Sequence, residues 1–381
     1  MSFTTKQIAL VYTTKPSCIL SILGSSFIAY DVVRNSKENR GRRLSVNQLL
    51  LLIMSIADII ASIGFFLGPW PIPESLSHIF YGASGTTATC TAQGFVLLFA
   101  VPCVFVGNAC LNVSCLLMIR YNWSEEKLRR RALPWFLFSI LLVGSVEAFT
   151  ALFMDLINGN PSWCFINKFP PDCQGDSCER GANADLMALL LGFVPLWLCF
   201  GISFGAMGAV YVTVSNLEKR VARWSVPTQP NTTATTMTSA TTESTTTATP
   251  GDGNDDSGVS TSNNGSSSFS IFSAVSQFRS SLNSRKSGRT SLAREQVRKS
   301  QRIAKQTSLY TFGFILTWLF PTVMRIQRAT PPPYGLLICI TVFVPLQGFC
   351  NFLVYIRPRY LHNRKHHPEM SHFRAAILKR N

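Results

Sequence analysis

Long apolar runs alternate with short polar segments along most of the chain. Crossing a hydrocarbon layer of roughly 30 Å takes about 20 consecutive apolar residues in a helix. Seven runs meet this requirement, at residues 10–33, 46–68, 91–119, 132–156, 184–214, 306–326 and 334–356. The first run is the weakest, because it continues across Lys15 and Pro16, and we expect Lys15 to reach outward to the bilayer surface. The pattern predicts an all-α membrane protein, a bundle of seven transmembrane helices.

These spans divide the chain into four parts, which are spans 1–5 in residues 1–215, a long loop in 216–305, spans 6 and 7 in 306–356, and a basic tail in 357–381. The middle of the loop, residues 231–270, consists almost entirely of Thr, Ser, Gly, Asn and Asp. Such a composition buries too little apolar surface to offset chain entropy, so we expect a largely disordered loop that is open to kinases. Residues 289–306 could continue the sixth helix beyond the membrane.

The net charge of +16 would suit a nucleic-acid-binding protein, but the basic residues lie in alternate loops. Lys and Arg accumulate in the cytoplasmic loops of membrane proteins. Here they follow the first and third spans, flank the long loop and fill the tail, whereas residues 69–89 contain none. The distribution argues against nucleic acid as a partner. It predicts a multi-pass protein of the plasma membrane with the N-terminus outside and the C-terminus in the cytoplasm.

Four of the eleven cysteines lie outside the predicted spans, and all four fall on the predicted outer side. They are Cys90, Cys164, Cys173 and Cys178. The extracellular side is oxidising and permits disulfides. Four cysteines allow three pairings, of which we prefer Cys90 with Cys164 and Cys173 with Cys178. A zinc site is the alternative, and it is disfavoured because only His78 lies on that side.

One sequence resembles an enzyme motif. Residues 201–205 read Gly-Ile-Ser-Phe-Gly, which matches the GxSxG nucleophile elbow of serine hydrolases. That motif needs a strand, a sharp turn and a helix, together with a histidine base. This copy lies inside an apolar span, and every histidine lies in the tail or in an outer loop. We therefore expect no enzyme, and we expect Gly201 and Gly205 to let another helix approach closely.

Ionisable residues inside a span are costly, which makes them candidates for function. Asp58 in the second span should face the bundle, and the amides that could hydrogen-bond it are Asn108, Asn112 and Asn351. Glu147 in the fourth span has no cation at its depth. For both acids the alternative is an interhelical hydrogen bond that serves packing alone. The seventh span has no lysine for retinal, and we expect neither another cofactor nor a metal.

The last two spans contain further unusual positions. Residues 344–358 read Val-Pro-Leu-Gln-Gly-Phe-Cys-Asn-Phe-Leu-Val-Tyr-Ile-Arg-Pro. Unpaired polar groups are costly in hydrocarbon, so Gln347 and Asn351 should face other helices. In the sixth span, Pro321 lacks a backbone N–H and should bend the helix near Trp318, and a bent helix can move between two packings. Alternatively, Trp318 only packs, and the proline is one of the many found in transmembrane helices.

Taken in order, these elements resemble a known family. Its motifs correspond to Leu20 to Ser25, Ser55 to Asp58, Cys90 with Gln93 to Phe95, Trp163-Cys164, and Leu346 to Phe349 followed by Asn351, Tyr355 and Arg357-Pro358. The chain resembles the G protein-coupled receptors of the cyclic AMP receptor-like and secretin-like branch found in protists and fungi. The resemblance covers residues 8–360 without the long loop. It implies a small extracellular ligand bound within the bundle and nucleotide exchange on a heterotrimeric G protein inside.

The resemblance also suggests where the functional residues lie. Candidates for ligand binding are Lys15, Trp70, Glu147, Trp163 and Arg325. Candidates for switching or packing are Asp58, Asn108, Trp318, Pro321, Gln347, Asn351 and Tyr355. Cations near the outer side would suit an anionic ligand such as cyclic AMP. Anchoring at the membrane surface explains the same cations and tryptophans equally well.

Candidates for G protein coupling lie on the predicted inner side. They are Arg120, Tyr121, Lys127, Arg129, Arg130, Arg131, Arg302 and Lys305. The pair Arg120-Tyr121 resembles the Arg-Tyr pair of rhodopsin-like receptors, although Ile119 stands where an acidic neighbour is expected. Arg120 could instead be a cation at the membrane boundary.

Two other classes of protein would also carry seven spans. A transporter or channel for a small solute would move that solute across vesicle membranes, although no repeat relates the first and last three spans. A scaffold whose disordered loop recruits partners would bind them without any signalling. The receptor is the interpretation that we prefer.

Overall fold

The computed structural model describes residues 5–38, 43–170, 173, 177–225, 268–327 and 333–378. Within these ranges, seven helices are long and apolar enough to cross a membrane. They are Thr5–Glu38, Val46–Leu67, Thr87–Arg120, Leu133–Phe153, Ala184–Val221, Arg294–Gln327 and Tyr334–His366. The predicted bundle of seven transmembrane helices is confirmed, and the chain is a multi-pass membrane protein.

The elements follow one another as α1 (Thr5–Glu38), α2 (Val46–Leu67), a 3₁₀ turn (Glu74–Leu76), α3 (Thr87–Arg120), α4 (Glu125–Arg131), α5 (Leu133–Phe153), β1 (Ile157–Gly159), β2 (Cys164–Ile166), α6 (Ala184–Met187), a π-helical turn (Ala188–Phe193), α7 (Val194–Ser225), α8 (Ser268–Gln327), α9 (Tyr334–Phe343), a 3₁₀ turn (Val344–Leu346), α10 (Gln347–His366) and α11 (His372–Ile377). The fourth span is therefore α5. The fifth span joins α6, the π-helical turn and α7, the sixth is the end of α8, and the seventh joins α9, the 3₁₀ turn and α10.

The chain forms two compact units, residues 1–215 with 299–381, and residues 216–298. The first unit contains most of the bundle. The second contains the end of α7 and the start of α8. Most of the Ser/Thr-rich stretch expected to be disordered lies outside the described residues. Residues 268–270 of that stretch belong to α8, so the helix begins earlier than the predicted continuation from residue 289.

Local sequence determines where the second and third spans begin. The first N–H groups of a helix lack partners within the helix, and a capping box supplies them. Ser45 Oγ accepts a hydrogen bond from the Gln48 N–H, and Gln48 Oε1 accepts one from the Ser45 N–H at 2.9 Å. Thr86 and Thr89 form the same reciprocal pair at the start of α3. Both helices therefore begin immediately after their capping residue.

The third span lies at the centre of the bundle. In its most apolar window, 83% of the residues are buried, compared with 17% in the fifth span. It packs against α2, against α5 and against both β-strands. Pro321 lies inside the continuous helix α8.

A short β-hairpin covers one end of the bundle. Strands β1 and β2 are antiparallel, with Ile157 opposite Ile166 and Gly159 opposite Cys164. A disulfide joins Cys164 to Cys90 in the first turn of α3, with their Cα atoms 5.4 Å apart. We call this end, which also carries residues 69–86, the disulfide end, and we call the opposite end, where α3 finishes at Arg120, the basic end.

A second disulfide joins Cys173 to Cys178, with 5.1 Å between the Cα atoms. Both disulfides are the pairs preferred from the sequence. The seven cysteines in the spans are free thiols, and five of them are buried. They act as small apolar side chains in the packing of the bundle.

We expected another helix to approach closely at the GxSxG motif, and this prediction is wrong. An added Cβ at Gly201 or Gly205 would meet no described atom within 4 Å. These glycines lie on an exposed face of α7. A close approach occurs instead between α1 and α10, where a Cβ on Gly24 would lie 2.8 Å from the Phe352 Cβ.

Candidate functional site

A chain of buried polar side chains joins the second, seventh and sixth spans. Asp58, which is 3% exposed, accepts a hydrogen bond from Asn351 Nδ2 at 2.9 Å. The Asn351 Oδ1 accepts a hydrogen bond from Gln347 Nε2 at 3.3 Å. The Gln347 Oε1 accepts one from Thr317 Oγ1 at 2.5 Å. We call these four residues the Asp58 chain. An unmade hydrogen bond is costly in an apolar interior. The Asp58 chain therefore fixes how these three spans pack against one another.

A second buried polar cluster joins the third and sixth spans. The Asn108 side chain donates to the Tyr310 carbonyl at 3.4 Å and accepts from Asn112 Nδ2 at 3.1 Å. The Asn112 Oδ1 accepts a hydrogen bond from Thr311 Oγ1 at 2.8 Å. Of the three asparagines offered as alternative partners of Asp58, Asn351 is the one that bonds it, and Asn108 and Asn112 bond the sixth span instead. The sixth span is held by polar contacts on two sides, to the third span here and to the seventh span through Thr317.

A cavity of about 20 Å³ lies beside the Asp58 chain, between Asp58, Ser62, Phe65, Trp318 and Gln347. A volume of this size holds about one water molecule. Pockets for drug-sized ligands measure roughly 300–1,000 Å³. The cavity is thus a space for local movement of side chains and too small for a ligand of ordinary size.

The aromatic side chains of the sixth span connect this cavity to the third and fifth spans. The Trp318 ring meets the Phe105 ring edge to face, with 6.3 Å between centroids. Phe314, one turn earlier and fully buried, packs on Phe200 at 4.9 Å. Trp318 lies one turn before Pro321, whose missing N–H weakens the helix at that point. Of the predicted switch residues of this span, Trp318 therefore lines the cavity beside the Asp58 chain.

Lys15, one of the ligand candidates, turns inward. Its side chain is buried, its ammonium donates to the Phe66 carbonyl, and it lies 4.0 Å from the centroid of the Trp70 ring. Phe66 belongs to the last turn of α2, where carbonyl groups without partners carry partial negative charge. The ammonium thus lies at the disulfide end of the second span, which supplies its partner inside the protein, and the expected reach to the bilayer surface stays a prediction.

Trp163 and Arg325, two further ligand candidates, contact different parts of the protein. The Trp163 ring packs edge to face on Phe65, with 4.8 Å between centroids. The Arg325 guanidinium bonds the Asp185 carbonyl and lies 5.6 Å from the centroid of the Phe193 ring. Together with Lys15 and Trp70, these residues make contacts within the disulfide end, and none of the four lines the cavity beside Asp58.

Gln93 ties the hairpin to the bundle, a role that sequence reasoning did not assign. Its Nε2 donates to the carbonyl groups of Gly64 and Gly68, both at 2.8 Å. Its Oε1 accepts a hydrogen bond from the Cys164 N–H at 3.1 Å. One buried amide therefore joins the second span, the third span and the hairpin beside the Cys90–Cys164 disulfide.

Glu147 differs from Asp58 in having no such partner. The side chain is 4% exposed, and its Oε2 is buried without a hydrogen-bond partner among the described residues. An added Cβ on Gly192, in the fifth span, would lie 3.7 Å from its Oε1. None of the ion pairs between described residues includes Glu147. The carboxyl group faces the fifth span with an unused acceptor.

A charged cluster at the basic end joins the first and seventh spans. Tyr355 OH donates to Asp31 Oδ2 at 2.5 Å, and Arg359 forms an ion pair with the same carboxylate. Asn35 Nδ2 also donates to it, at 2.9 Å. Sequence reasoning missed Asp31 and Arg359. Asp31 falls inside the predicted first span, so the rule that selected Asp58 would have selected it as well.

Most candidates for G protein coupling lie exposed at the basic end. The exposed side chains are Arg120, Tyr121, Lys127, Arg130, Arg131, Arg302 and Lys305. Arg129 differs, because its guanidinium donates to the Leu44 carbonyl and so fixes the loop between the first and second spans. The exposed side chains together form a basic surface, and Arg129 holds the neighbouring loop in place.

No protein-family model matches the chain, and no curated protein sequence matches it. The crystal structure of squid rhodopsin is similar to it, with a TM-score of 0.56 over 99% of this chain and 86% of that chain. The chain has the rhodopsin-like fold. Sequence identity with squid rhodopsin is 14%, so the likeness extends to the fold alone. The cyclic AMP receptor-like and secretin-like branch stays a prediction.

The rhodopsin-like bundle also places the serine of the GxSxG motif. Ser203 is 1% exposed, and its Oγ has no hydrogen-bond partner among the described residues. His78 lies in the loop between the second and third spans, and the other histidines lie in α10, in α11 or between them. A general base must come within hydrogen-bond reach of its nucleophile. The motif here is a segment of a transmembrane helix.

Proposed function

We propose that this chain is a G protein-coupled receptor that binds a small extracellular ligand and promotes nucleotide exchange on a heterotrimeric G protein. The observation that carries the proposal is the Asp58 chain, four buried polar side chains that cross three spans beside Trp318 and a small cavity. Buried hydrogen bonds of this kind have few alternative arrangements, so a shift of the sixth span exchanges one set for another. The rhodopsin-like fold supports the same function.

The orientation that we propose places the disulfide end outside and the basic end in the cytoplasm. Two independent features support it. Disulfides form in oxidising compartments, and both disulfides lie at or near the end that carries the hairpin. Lys and Arg concentrate on the cytoplasmic side, and the exposed candidates Arg120, Lys127, Arg130 and Arg131 lie at the opposite end. The ligand would then bind in the half of the bundle nearer the disulfide end, and the G protein would bind at the basic end.

The test measures nucleotide exchange by purified heterotrimeric G proteins mixed with the chain in lipid nanodiscs. The test variant replaces Lys127, Arg130 and Arg131 with Gln and keeps Arg129, because Arg129 bonds the Leu44 carbonyl. Wild-type chain should raise exchange above the rate with empty nanodiscs, and the test variant should return it to that rate.

A charge-matched control variant replaces Arg34, Lys37 and Arg43, which are exposed at the same end. It should retain the wild-type rate, because these residues lie outside the proposed coupling surface. Equal exchange by the test and control variants would contradict the coupling surface. Solute flux across vesicles without any exchange would replace the receptor with a transporter or channel.

A further inference from the structure

The surroundings of Glu147 point to a binding site that opens toward the lipid. Glu147 lies in the fourth span at a depth of about 9 Å from the helix end at Phe153, since a helix rises about 1.5 Å per residue. Its neighbours along the helix, Val146 and Phe149, are 49% and 46% exposed on the outer face of the bundle. The carboxyl group lies on the buried side of this helix, one residue along from its exposed face.

The fifth span contains a widened helical turn where it faces this carboxyl group. Residues Ala188–Phe193 form a π-helical turn immediately before Pro195. Proline lacks an N–H and clashes with the carbonyl four residues earlier, and a wider turn relieves both effects. Gly192, within this turn, has no side chain to cover Glu147, and Leu190 beside it is 48% exposed. Gly192 therefore leaves empty the space that a side chain would fill beside the Glu147 Oε1.

Access from the aqueous side at the disulfide end is closed. Ala148 and Ala151 of the fourth span are fully buried in a cluster with Ile157 and Cys164 of the hairpin and with Ala184 at the start of the fifth span. This cluster lies between Glu147 and the disulfide end. A path to Glu147 that leaves this cluster intact cannot start at the disulfide end, and exposed side chains of both spans, Val146 and Leu190, face the bilayer.

The chemistry of the site selects the class of molecule. The carboxyl group offers an acceptor oxygen in apolar surroundings, and no cation of the described residues pairs with it. A hydrogen-bond donor satisfies the open oxygen, and an amine suits either form of the acid, because it can also take the carboxyl proton to form a charge-assisted pair. To arrive through the lipid, the donor must be attached to an apolar body.

We propose that Glu147 and Gly192 form the head-group site for an amphipathic amine that enters from the bilayer between the fourth and fifth spans. The idea that this amine is the activating ligand rests on the proposed receptor function. Binding of the amine does not, because it depends only on the geometry of the two spans.

The test uses dodecylamine as the probe and the unfolding temperature of the full chain in nanodiscs as the readout. A molecule that binds only the folded state raises that temperature saturably. Dodecylamine should do so with the wild type, whereas dodecanol at the same concentration should have a smaller effect. Glu147→Gln and Gly192→Leu should each weaken the apparent affinity for the amine by about tenfold or more, the effect of losing one strong hydrogen bond.

Two matched variants control for general effects of the amine on the bilayer. Glu74→Gln removes an exposed carboxylate, and Gly201→Leu adds the same side chain to the same helix in open space. Both should bind dodecylamine like the wild type. Unaltered affinity in Glu147→Gln, or the absence of saturable stabilisation of the wild type, would overturn the proposal.

A second measurement distinguishes this proposal from the proposed function. Dicyclohexylcarbodiimide, a lipid-soluble reagent that adds to carboxyl groups, should modify Glu147. N,N-dimethyldodecylamine, a tertiary amine that cannot form an amide with the activated carboxyl group, should protect it. Mass spectrometry of the peptide that contains Glu147 reports both results, and modification that is unaffected by the amine would contradict the site. Protection without G protein exchange would keep the site and reject the receptor, whereas exchange without protection would do the reverse.

Discussion

Three carboxyl groups lie buried in the spans, and each has a different environment. Asp31 accepts hydrogen bonds from Tyr355 and Asn35 and pairs with Arg359. Asp58 accepts one hydrogen bond from a neutral amide. Glu147 has an oxygen without a described partner. An isolated polar group in hydrocarbon is costly. Asp31 has the most hydrogen-bond partners, Asp58 has one, and Glu147 keeps an oxygen that an external molecule could bond.

The ion pair at the basic end should contribute measurably to stability. The side chains of Arg359 and Asp31 are 17% and 8% exposed. Removing one partner leaves a buried charge uncompensated, so Asp31→Asn and Arg359→Gln should each lower the free energy of unfolding by about 3 kcal/mol. The double variant should lose less than the sum of the two. Unfolding in detergent micelles measures all three variants.

An exposed ion pair provides the control for this cycle. Arg34 and Glu38 lie one turn apart on α1, with side chains that are 53% and 48% exposed. Water screens such a pair, so the corresponding cycle should show no measurable coupling. Additive losses at Asp31 and Arg359 would mean that their contact does not stabilise the fold.

At the scale of elements, the crossing of the first and seventh spans depends on small residues. The 3₁₀ turn Val344–Leu346 interrupts the seventh span, and the Gly348 N–H that follows donates to Ser21 Oγ at 3.1 Å. The same Ser21 Oγ accepts a hydrogen bond from Ser62 in the second span at 2.9 Å. Small side chains let helix backbones approach and bond in this way.

Replacing the crossing glycine should therefore destabilise the protein. A Cβ on Gly348 would lie 2.5 Å from Ser21 Oγ, closer than atoms pack. Overpacking of this kind costs about 1–3 kcal/mol, and Gly348→Ala should lower the unfolding temperature accordingly. Gly205→Ala is the matched control, because its Cβ would meet no described atom within 4 Å. It should leave stability unchanged or raise it slightly by restricting the unfolded chain. An equal loss in both variants would show that the crossing is looser than described.

At the scale of the whole molecule, the two ends differ in chemistry. The disulfide end is closed by the hairpin, which a disulfide and the Gln93 amide hold in place. The basic end carries exposed arginine and lysine side chains around the end of α3. Anionic lipid on the cytoplasmic side favours a surface like that of the basic end. The oxidising exterior favours disulfides like those of the disulfide end.

The proposed orientation predicts the accessibility of the two chain ends. An epitope added before Met1 should bind antibody on intact cells, whereas one added after Asn381 should bind only after permeabilisation. Permeabilised cells, in which both epitopes should bind, control for expression. The opposite result would place the basic end outside and would exchange the proposed ligand and G protein sides.

The seven spans could be predicted from the sequence because the requirement for them is local. In a bilayer each backbone group must be satisfied within its own helix, so length and apolar composition are enough to identify a span. The preferred disulfide pairs agree with the structure, and Asn351 is one of the three asparagines that the sequence offered as partners of Asp58.

Other features depended on how the helices are rotated and which of them are neighbours. Apolar residues that face lipid and those that face another helix look alike in a sequence, because both environments exclude water equally. For this reason Gly201 and Gly205 were expected to pack and do not, whereas Gly348 does. Lys15 bonds the end of the second span, and Asp31 forms an ion pair with Arg359. The sequence alone determined which segments cross the membrane, and only the tertiary structure decided which polar groups meet and which, like Glu147, are left open.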